Sequence, residues 1–113
     1  MSSAIPEIAC QELNEKLRCE SRPFLLDVRE LEERDIAVLP DDLHIPLMEL
    51  ENRVNECIEA AKTGREFVVY CRSGARSAIA VQFLQSFGLT DAKNLRGGIR
   101  AWSHEVDPTI PTY

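Results

Sequence analysis

One short run, "YCRSGARSA" at positions 70–78, combines residue types able to do covalent chemistry. Cys71 is followed by Arg72, Ser73, Gly74, Ala75 and Arg76, so a thiol, a glycine and two cations share six consecutive positions. A free thiol titrates near about 8.5 and is a weak nucleophile at neutral pH; hydrogen-bond donors and cations lower that value to roughly 3.5–7.5. Successive backbone N–H groups in this run, with Gly74 permitting a tight curl, can converge on one point as an anion-binding nest. The first N–H groups of a helix that follows point the same way. The pattern therefore predicts a thiolate nucleophile at Cys71, held by a loop from Arg72 to Arg76. Cys10, Cys19 and Cys57 have no glycine loop or flanking arginines and read as small buried packing residues.

The elements around the run say how it is positioned. "EFVVYC" is β-branched and aromatic and predicts a buried strand ending at Cys71. Ala80, Phe83, Leu84 and Phe87 then fall at i, i+3, i+4 and i+7, a helix stopped by Gly88. Upstream, the pattern predicts a small strand at 7–9, a short helix at 10–17 and a strand in "PFLLDVRE". A helical turn at 31–36 and a third strand in "DDLHIP", stopped by Pro46, come next. Leu50, Val54, Cys57, Ile58 and Ala61 share one face of a helix expected over 47–62. A fifth strand at 92–95 leads through Gly97-Gly98 into a last short helix. Alternating strands and helices predict an α/β fold with a mostly parallel five-stranded sheet, flanked by helices on both faces. Its ligand site belongs outside the carboxyl ends of the strands, which is where Cys71 falls.

Composition narrows the function. A chain of 113 residues, 44% hydrophobic and 28% charged, is expected to form a single domain over 1–113. The net charge of −6, with 13 Lys and Arg against 19 Asp and Glu, opposes nucleic-acid binding. No apolar run approaches the length of a membrane span, and the N-terminal segment lacks a basic region before an apolar core, so a cytoplasmic, unprocessed protein is expected. The cysteine spacings, with no C-x-x-C pair and only His44 and His104 as imidazoles, predict neither a zinc site nor a disulfide framework.

"VVYCRSGARSA", with "LLDVRE" before it and "NLRGGIRAW" after it, resembles the rhodanese-like domains, in the family's order and spacing from about residue 8 to residue 102. The segments "LHIPLMELENRV" and "AWSHEVDPTIPTY" are further similar to the rhodanese domain at the C-terminus of MoeB-like and MOCS-type enzymes. The resemblance implies a three-layer rhodanese-like fold in which Cys71 carries a persulfide and residues Arg72, Ser73, Gly74, Ala75 and Arg76 cradle its sulfur. It implies that Asp27 and Arg29, at the strand end "DVR", border the site and support the loop; on chemistry alone they also suit a surface ion pair. Gly97, Gly98 and Trp102 match a structural turn and a packing anchor; His44, by its own place in the third strand beside Pro46, reads as structural. No cofactor or metal is implied. The partners implied are a small anionic sulfur donor such as thiosulfate and a thiol, thioredoxin-like or sulfur-carrier protein acceptor. One departure stands out: "VLPDDLHIP" has Pro40-Asp41-Asp42 where the family usually has a Gly-His-Ile-Pro-Gly-Ala run.

Two rivals remain at this level. Cysteine phosphatases and arsenate reductases also set a cysteine and an arginine around an anion loop, but resemble C-x5-R, whereas four residues separate Cys71 from Arg76. Regulatory rhodanese-like modules bind without catalysis and usually lack the cysteine that this chain keeps.

Overall fold

In a computed structural model, residues 5–113 are described. Residues 1–4, the start of the segment read as leaderless and of the domain expected over 1–113, lie outside the described residues. Five strands form one sheet: β1 (Glu7–Ile8), β2 (Phe24–Asp27), β3 (Leu43–His44), β4 (Phe67–Tyr70) and β5 (Ala92–Leu95), in the order β1-β5-β4-β2-β3. Every pairing is parallel. Four helices accompany them: α1 (Cys10–Lys16), α2 (Val54–Ala61), α3 (Ala75–Ser86) and α4 (Gly98–Glu105).

Burial on both faces explains why β4 is apolar at every position: all four of its residues are buried. Alternate side chains serve opposite cores. Leu26 and Val69 join Cys57 of α2 and Ala80, Val81 and Leu84 of α3. Leu25, Val68 and Tyr70 join Cys10 and Leu13 of α1 and Ile99 and Trp102 of α4. The sheet thus has helices on both faces, as the sequence predicts, with α2 and α3 on one and α1 and α4 on the other. Among the described residues no helix is long and apolar enough to cross a membrane.

Three expectations are corrected. The helix expected over 47–62 is a 3-10 turn at Leu47–Glu49 followed by α2 only from Val54. The backbone tightens there, with Glu49 N–H donating to the Pro46 carbonyl and Leu50 N–H to the Leu47 carbonyl. Arg53 staples the break by donating to the His44 carbonyl and to Glu49 and Glu56. On α3 the buried stripe is Ser77, Ala80, Val81 and Leu84, rotated from the apolar series of the sequence. Phe87 is 48% exposed and instead packs against Phe83 at a 45° tilt, with ring centroids 4.8 Å apart. Cys19 is exposed rather than buried, whereas Cys10 and Cys57 are buried as expected.

The turn at Pro40-Asp41-Asp42 closes without glycine because Asp41 takes φ +56°, a left-handed conformation that aspartate tolerates better than most residues. Asp42 then turns inward to accept from Arg34 at 2.8 and 2.9 Å and from the Tyr70 hydroxyl at 2.5 Å. The segment with the clearest departure from the pattern is thereby tied to the end of β4.

Candidate active site

Parallel pairing sets Tyr70 beside Asp27 at the carboxyl ends of β4 and β2, so Cys71 emerges at the centre of the sheet's carboxyl edge. The chain curls at once into α3, with Gly74 at its N-cap in a left-handed conformation (φ +109°). That curl brings the Gly74 N–H to 3.0 Å from the Cys71 Sγ. The Ser77 hydroxyl, in the first turn of α3 and fully buried, lies 3.3 Å from the same sulfur.

These donors decide the state of the thiol. Burial, with Cys71 only 1% exposed, pushes its pKa up; the Ser77 hydroxyl and the N–H groups of Ser77, Gly74 and Ser73 pull it down and prevail. The contrast with Cys10 and Cys57 is sharp. Burial pushes both of those thiols up to about 11, and neither has donors to offset it.

The floor of the loop is fixed by α4. Ile99 N–H donates to the Cys71 carbonyl at 2.9 Å and Arg100 N–H to the Arg72 carbonyl at 3.0 Å. So close an approach leaves no space on Gly98, where a Cβ would lie 2.4 Å from the Arg72 carbonyl oxygen and 2.5 Å from that of Cys71. The Gly97-Gly98 turn is therefore structural in origin, as expected, yet it shapes the nucleophile's own backbone.

Both arginines of the loop are already engaged. Arg76 forms a two-pronged pair with Glu33, at 2.6 and 2.9 Å. Arg72 donates to the Tyr113 main-chain oxygen and lies over the Tyr113 ring, 4.9 Å from its centroid. The drop in the Cys71 pKa thus comes from hydrogen-bond donors at the sulfur, with the charge of Arg76 facing it from beyond them. Ser73 and Ala75 sit where the loop was expected: Ser73 contributes its N–H, and Ala75 opens α3.

Asp27 and Arg29 are fully buried, which rules out the surface ion pair. Arg29 donates to both Asp27 oxygens at 2.9 and 3.0 Å, to the Ala37 carbonyl at 2.7 Å and to the Tyr113 hydroxyl at 2.7 Å. Tyr113 in turn donates to Glu33 at 2.6 Å. A continuous polar path therefore runs from Asp27 through Arg29, Tyr113 and Glu33 to Arg76, and Tyr113 also holds Arg72, so the strand-end pair is linked to both arginines of the loop. His44 sets its Nε2 2.6 Å from the Arg29 carbonyl, a structural contact. Among the described residues no three metal-ligating side chains cluster.

Sequence reasoning missed Ser77, Asn94, Glu33 and Tyr113. Asn94 receives the Ser77 hydroxyl at 2.5 Å and donates to the Gly74 carbonyl at 3.1 Å. A polar residue inside an otherwise apolar strand was the available signal for Asn94. Ser77 could be found from the spacing of Ser77, Ala80, Val81 and Leu84, a helical stripe of mostly small residues beginning on a polar one. Nothing local marks Glu33 or Tyr113, which arrive from 43 and 37 positions away from Arg76 in the chain.

The model of the family described as "Rhodanese-like domain" matches residues 9–105. The chain is 39% identical to "Adenylyltransferase and sulfurtransferase MOCS3" of Arabidopsis thaliana over 94% of its length and 25% of that protein's. It is 35% identical to "Putative sulfur carrier protein YrkF" of Bacillus subtilis, over 94% of its own length and 55% of the relative's. Like the Arabidopsis protein, the next relatives of that class are matched over about a quarter of their length. Among solved structures, a rhodanese-related protein from Thermoplasma volcanium matches with a TM-score of 0.74 and 31% identity, over 89% of this chain and 93% of that one. A human single-domain sulfurtransferase matches with a TM-score of 0.73 and 29% identity, over 90% and 98% of the two chains.

Proposed function

Because the chain belongs to the rhodanese-like domain family, we propose that it is a sulfurtransferase in which Cys71 carries sulfane sulfur as a persulfide. The observation that carries this reading is a thiol whose pKa is lowered by converging donors at the head of α3, on a cysteine only 1% exposed. A thiolate held by fixed dipoles is a nucleophile that needs no proton acceptor at the moment of attack. The cradle is small: four residues between Cys71 and Arg76 bring an N–H to 3.0 Å from the sulfur, which suits a linear sulfur chain better than a phosphoryl group.

The donor we propose is an anion such as thiosulfate. Its outer sulfur bonds to Sγ while sulfite leaves with the bonding electrons, and Arg72 and Arg76 attract the dianion. The acceptor is a thiol, a thioredoxin-like protein or a sulfur-carrier protein, with cyanide as the laboratory substitute. Relatives named as a MOCS3 sulfurtransferase and a putative sulfur carrier support an acceptor of the carrier class. No phosphatase role is proposed, and a purely regulatory module would have no use for the lowered thiol.

Intact-mass measurement after incubation with thiosulfate tests the proposal. The protein is expected to gain one sulfur atom, lost again on adding cyanide or dithiothreitol, and the Cys71→Ser protein is expected to gain none. Uptake of sulfur by the Cys71→Ser variant would remove the assignment, as would turnover of an aryl phosphate by the wild type.

A further inference from the structure

The Ser77 hydroxyl is committed twice. Its oxygen lies 2.5 Å from Asn94 Oδ1 and 3.3 Å from the Cys71 Sγ, both in donor geometry. A serine has one hydroxyl proton, so only one of these bonds is made at full strength at a time. The shorter one goes to Asn94, whose amide nitrogen is fixed by the Gly74 carbonyl at 3.1 Å. With the proton on Asn94, the Ser77 oxygen can accept from a Cys71 thiol; with the proton turned to Sγ, it serves a thiolate. Ser77 is 0% exposed and Asn94 only 3%, so no solvent competes for either bond.

We propose that Ser77 is a second catalytic residue, whose hydroxyl rests on Asn94 while Cys71 bears sulfur and turns onto Sγ as that sulfur is taken away. This rests on the sulfurtransferase reading and says which half of the reaction the serine serves. In loading, Sγ forms a bond to the donor's outer sulfur, the sulfur–sulfur bond of thiosulfate breaks, and sulfite departs with the electron pair. Negative charge moves from Sγ to the new terminal sulfur. In discharge the acceptor's lone pair bonds to that terminal sulfur, the Sγ–S bond breaks, and its electrons return to Sγ as a thiolate. No oxidant, reductant or proton is consumed when cyanide is the acceptor.

The Gly74 N–H also reaches Sγ, at 3.0 Å, so what sets the Ser77 hydroxyl apart is its full burial on the inner side of that sulfur. The terminal sulfur must extend toward the side from which the donor enters, along the loop N–H groups. The Ser77 hydroxyl, 0% exposed, meets Sγ from the interior side at 3.3 Å. Its hydrogen bond is therefore strongest where Sγ is the leaving group, and weakest where Sγ is the neutral inner atom of a persulfide. Among the described residues no other side chain hydrogen-bonds to Sγ. Arg76 of α3 faces the sulfur's charge but is paired to Glu33 of the turn after β2. Arg72 of the loop is held by Tyr113, Asp27 of β2 by Arg29 and Arg34, and α4 offers main-chain N–H groups only to carbonyls.

Single-turnover measurements of the two half-reactions decide the matter: thiosulfate loading followed by intact mass, and cyanide discharge of the loaded protein followed as thiocyanate. Iodoacetamide alkylation across pH reports the Cys71 thiol independently of sulfur transfer. Ser77→Ala is expected to load within about threefold of wild type above its thiol midpoint and to discharge about tenfold more slowly or worse, the factor expected for a lost bond to a charged sulfur. Its alkylation midpoint should rise. Ser77→Thr, which keeps the hydroxyl, should discharge within about threefold of wild type. Equal slowing of both half-reactions in Ser77→Ala, unaltered discharge, or an unmoved alkylation midpoint overturns the inference. A wild type that takes sulfur from neither thiosulfate nor a polysulfide overturns the sulfurtransferase reading, and the leaving-group role with it.

Discussion

At the scale of single residues, the charge at the loop is a balance between Arg76 and Glu33. Arg76, by hydrogen bonding, draws the Glu33 carboxyl down to about 2; burial opposes this, and the Tyr113 hydroxyl assists it. Arg76→Ala therefore does two things: it removes a cation and leaves a carboxylate facing the anionic donor. Thiosulfate kcat/KM is expected to fall about tenfold at low salt, with discharge to a neutral thiol less affected. The difference from wild type should narrow as salt is raised, because screening removes both the lost attraction and the new repulsion. Steady-state kinetics at low and high ionic strength measure this, and an effect independent of salt would show that Arg76 acts only through the fold. The same pair gives stability a pH dependence of known sign. The Glu33 carboxyl lies below its ordinary value of 4.5 when folded, so its contribution is complete above about 4.5 and is lost as pH falls toward about 2. Urea unfolding should find wild type more stable than Glu33→Gln at pH 7, with the gap shrinking between pH 4.5 and 2. A gap unchanged over that window would separate the pair from stability.

Among elements, the contact that matters most is between the start of α4 and the cysteine loop, since two hydrogen bonds join them and Gly98 is the point of closest approach. A methyl group at Gly98 would meet two carbonyl oxygens at less than 2.6 Å, and the residue's φ of +64° adds strain for any side chain. The atoms that must give way are main chain, which cannot rotate aside. Gly98→Ala is thus expected to displace the Cys71 and Arg72 carbonyls, and with them the N–H groups at the sulfur. Stability should drop by about 2 kcal/mol or more, and sulfur loading by at least about tenfold in whatever fraction stays folded. Guanidinium unfolding together with single-turnover loading checks both. Wild-type loading in a folded Gly98→Ala protein would mean that the loop is set from elsewhere.

For the molecule as a whole, a buried polar network closes the carboxyl edge of the sheet from β3 to the last residues. Arg34 bridges Asp27 and Asp42 at 2.9 and 2.8 Å, Tyr70 donates to Asp42, and Arg29 links Asp27 to Tyr113. Burial and the charge of Asp27 push the Tyr70 phenol well up, so it remains a donor at any working pH. Asp42 is 4% exposed and Arg34 24%, so removing either charge strands a partner that water reaches poorly. Arg34→Met and Asp42→Leu should each destabilise by about 2 kcal/mol, and the double variant by clearly less than the sum. Unfolding free energies around that cycle test the coupling. Strict additivity would show that the two side chains act separately.

By itself the sequence determined the parallel α/β plan, because apolar strands buried on both faces and helices between them leave a period that needs no tertiary information. It also placed Cys71 at the end of β4, since a strand, a glycine turn and a helix are local events. It did not reveal that α2 begins only at Val54, because a 3-10 turn and an α-helix place Leu50 and Cys57 inward alike. Nor did it show the rotated stripe of α3, where Ser77 counts as polar in a list but is buried by the sulfur and the amide it serves. Tertiary structure alone decided which charges meet. Whether Arg76 faces a donor or Glu33, and whether Asp27 and Arg29 lie on the surface or beneath Tyr113, depends on distances between segments far apart in the chain. An ion pair has no sequence period, and packing of the sheet, the 3-10 turn and the last residues brings these groups within hydrogen-bonding range.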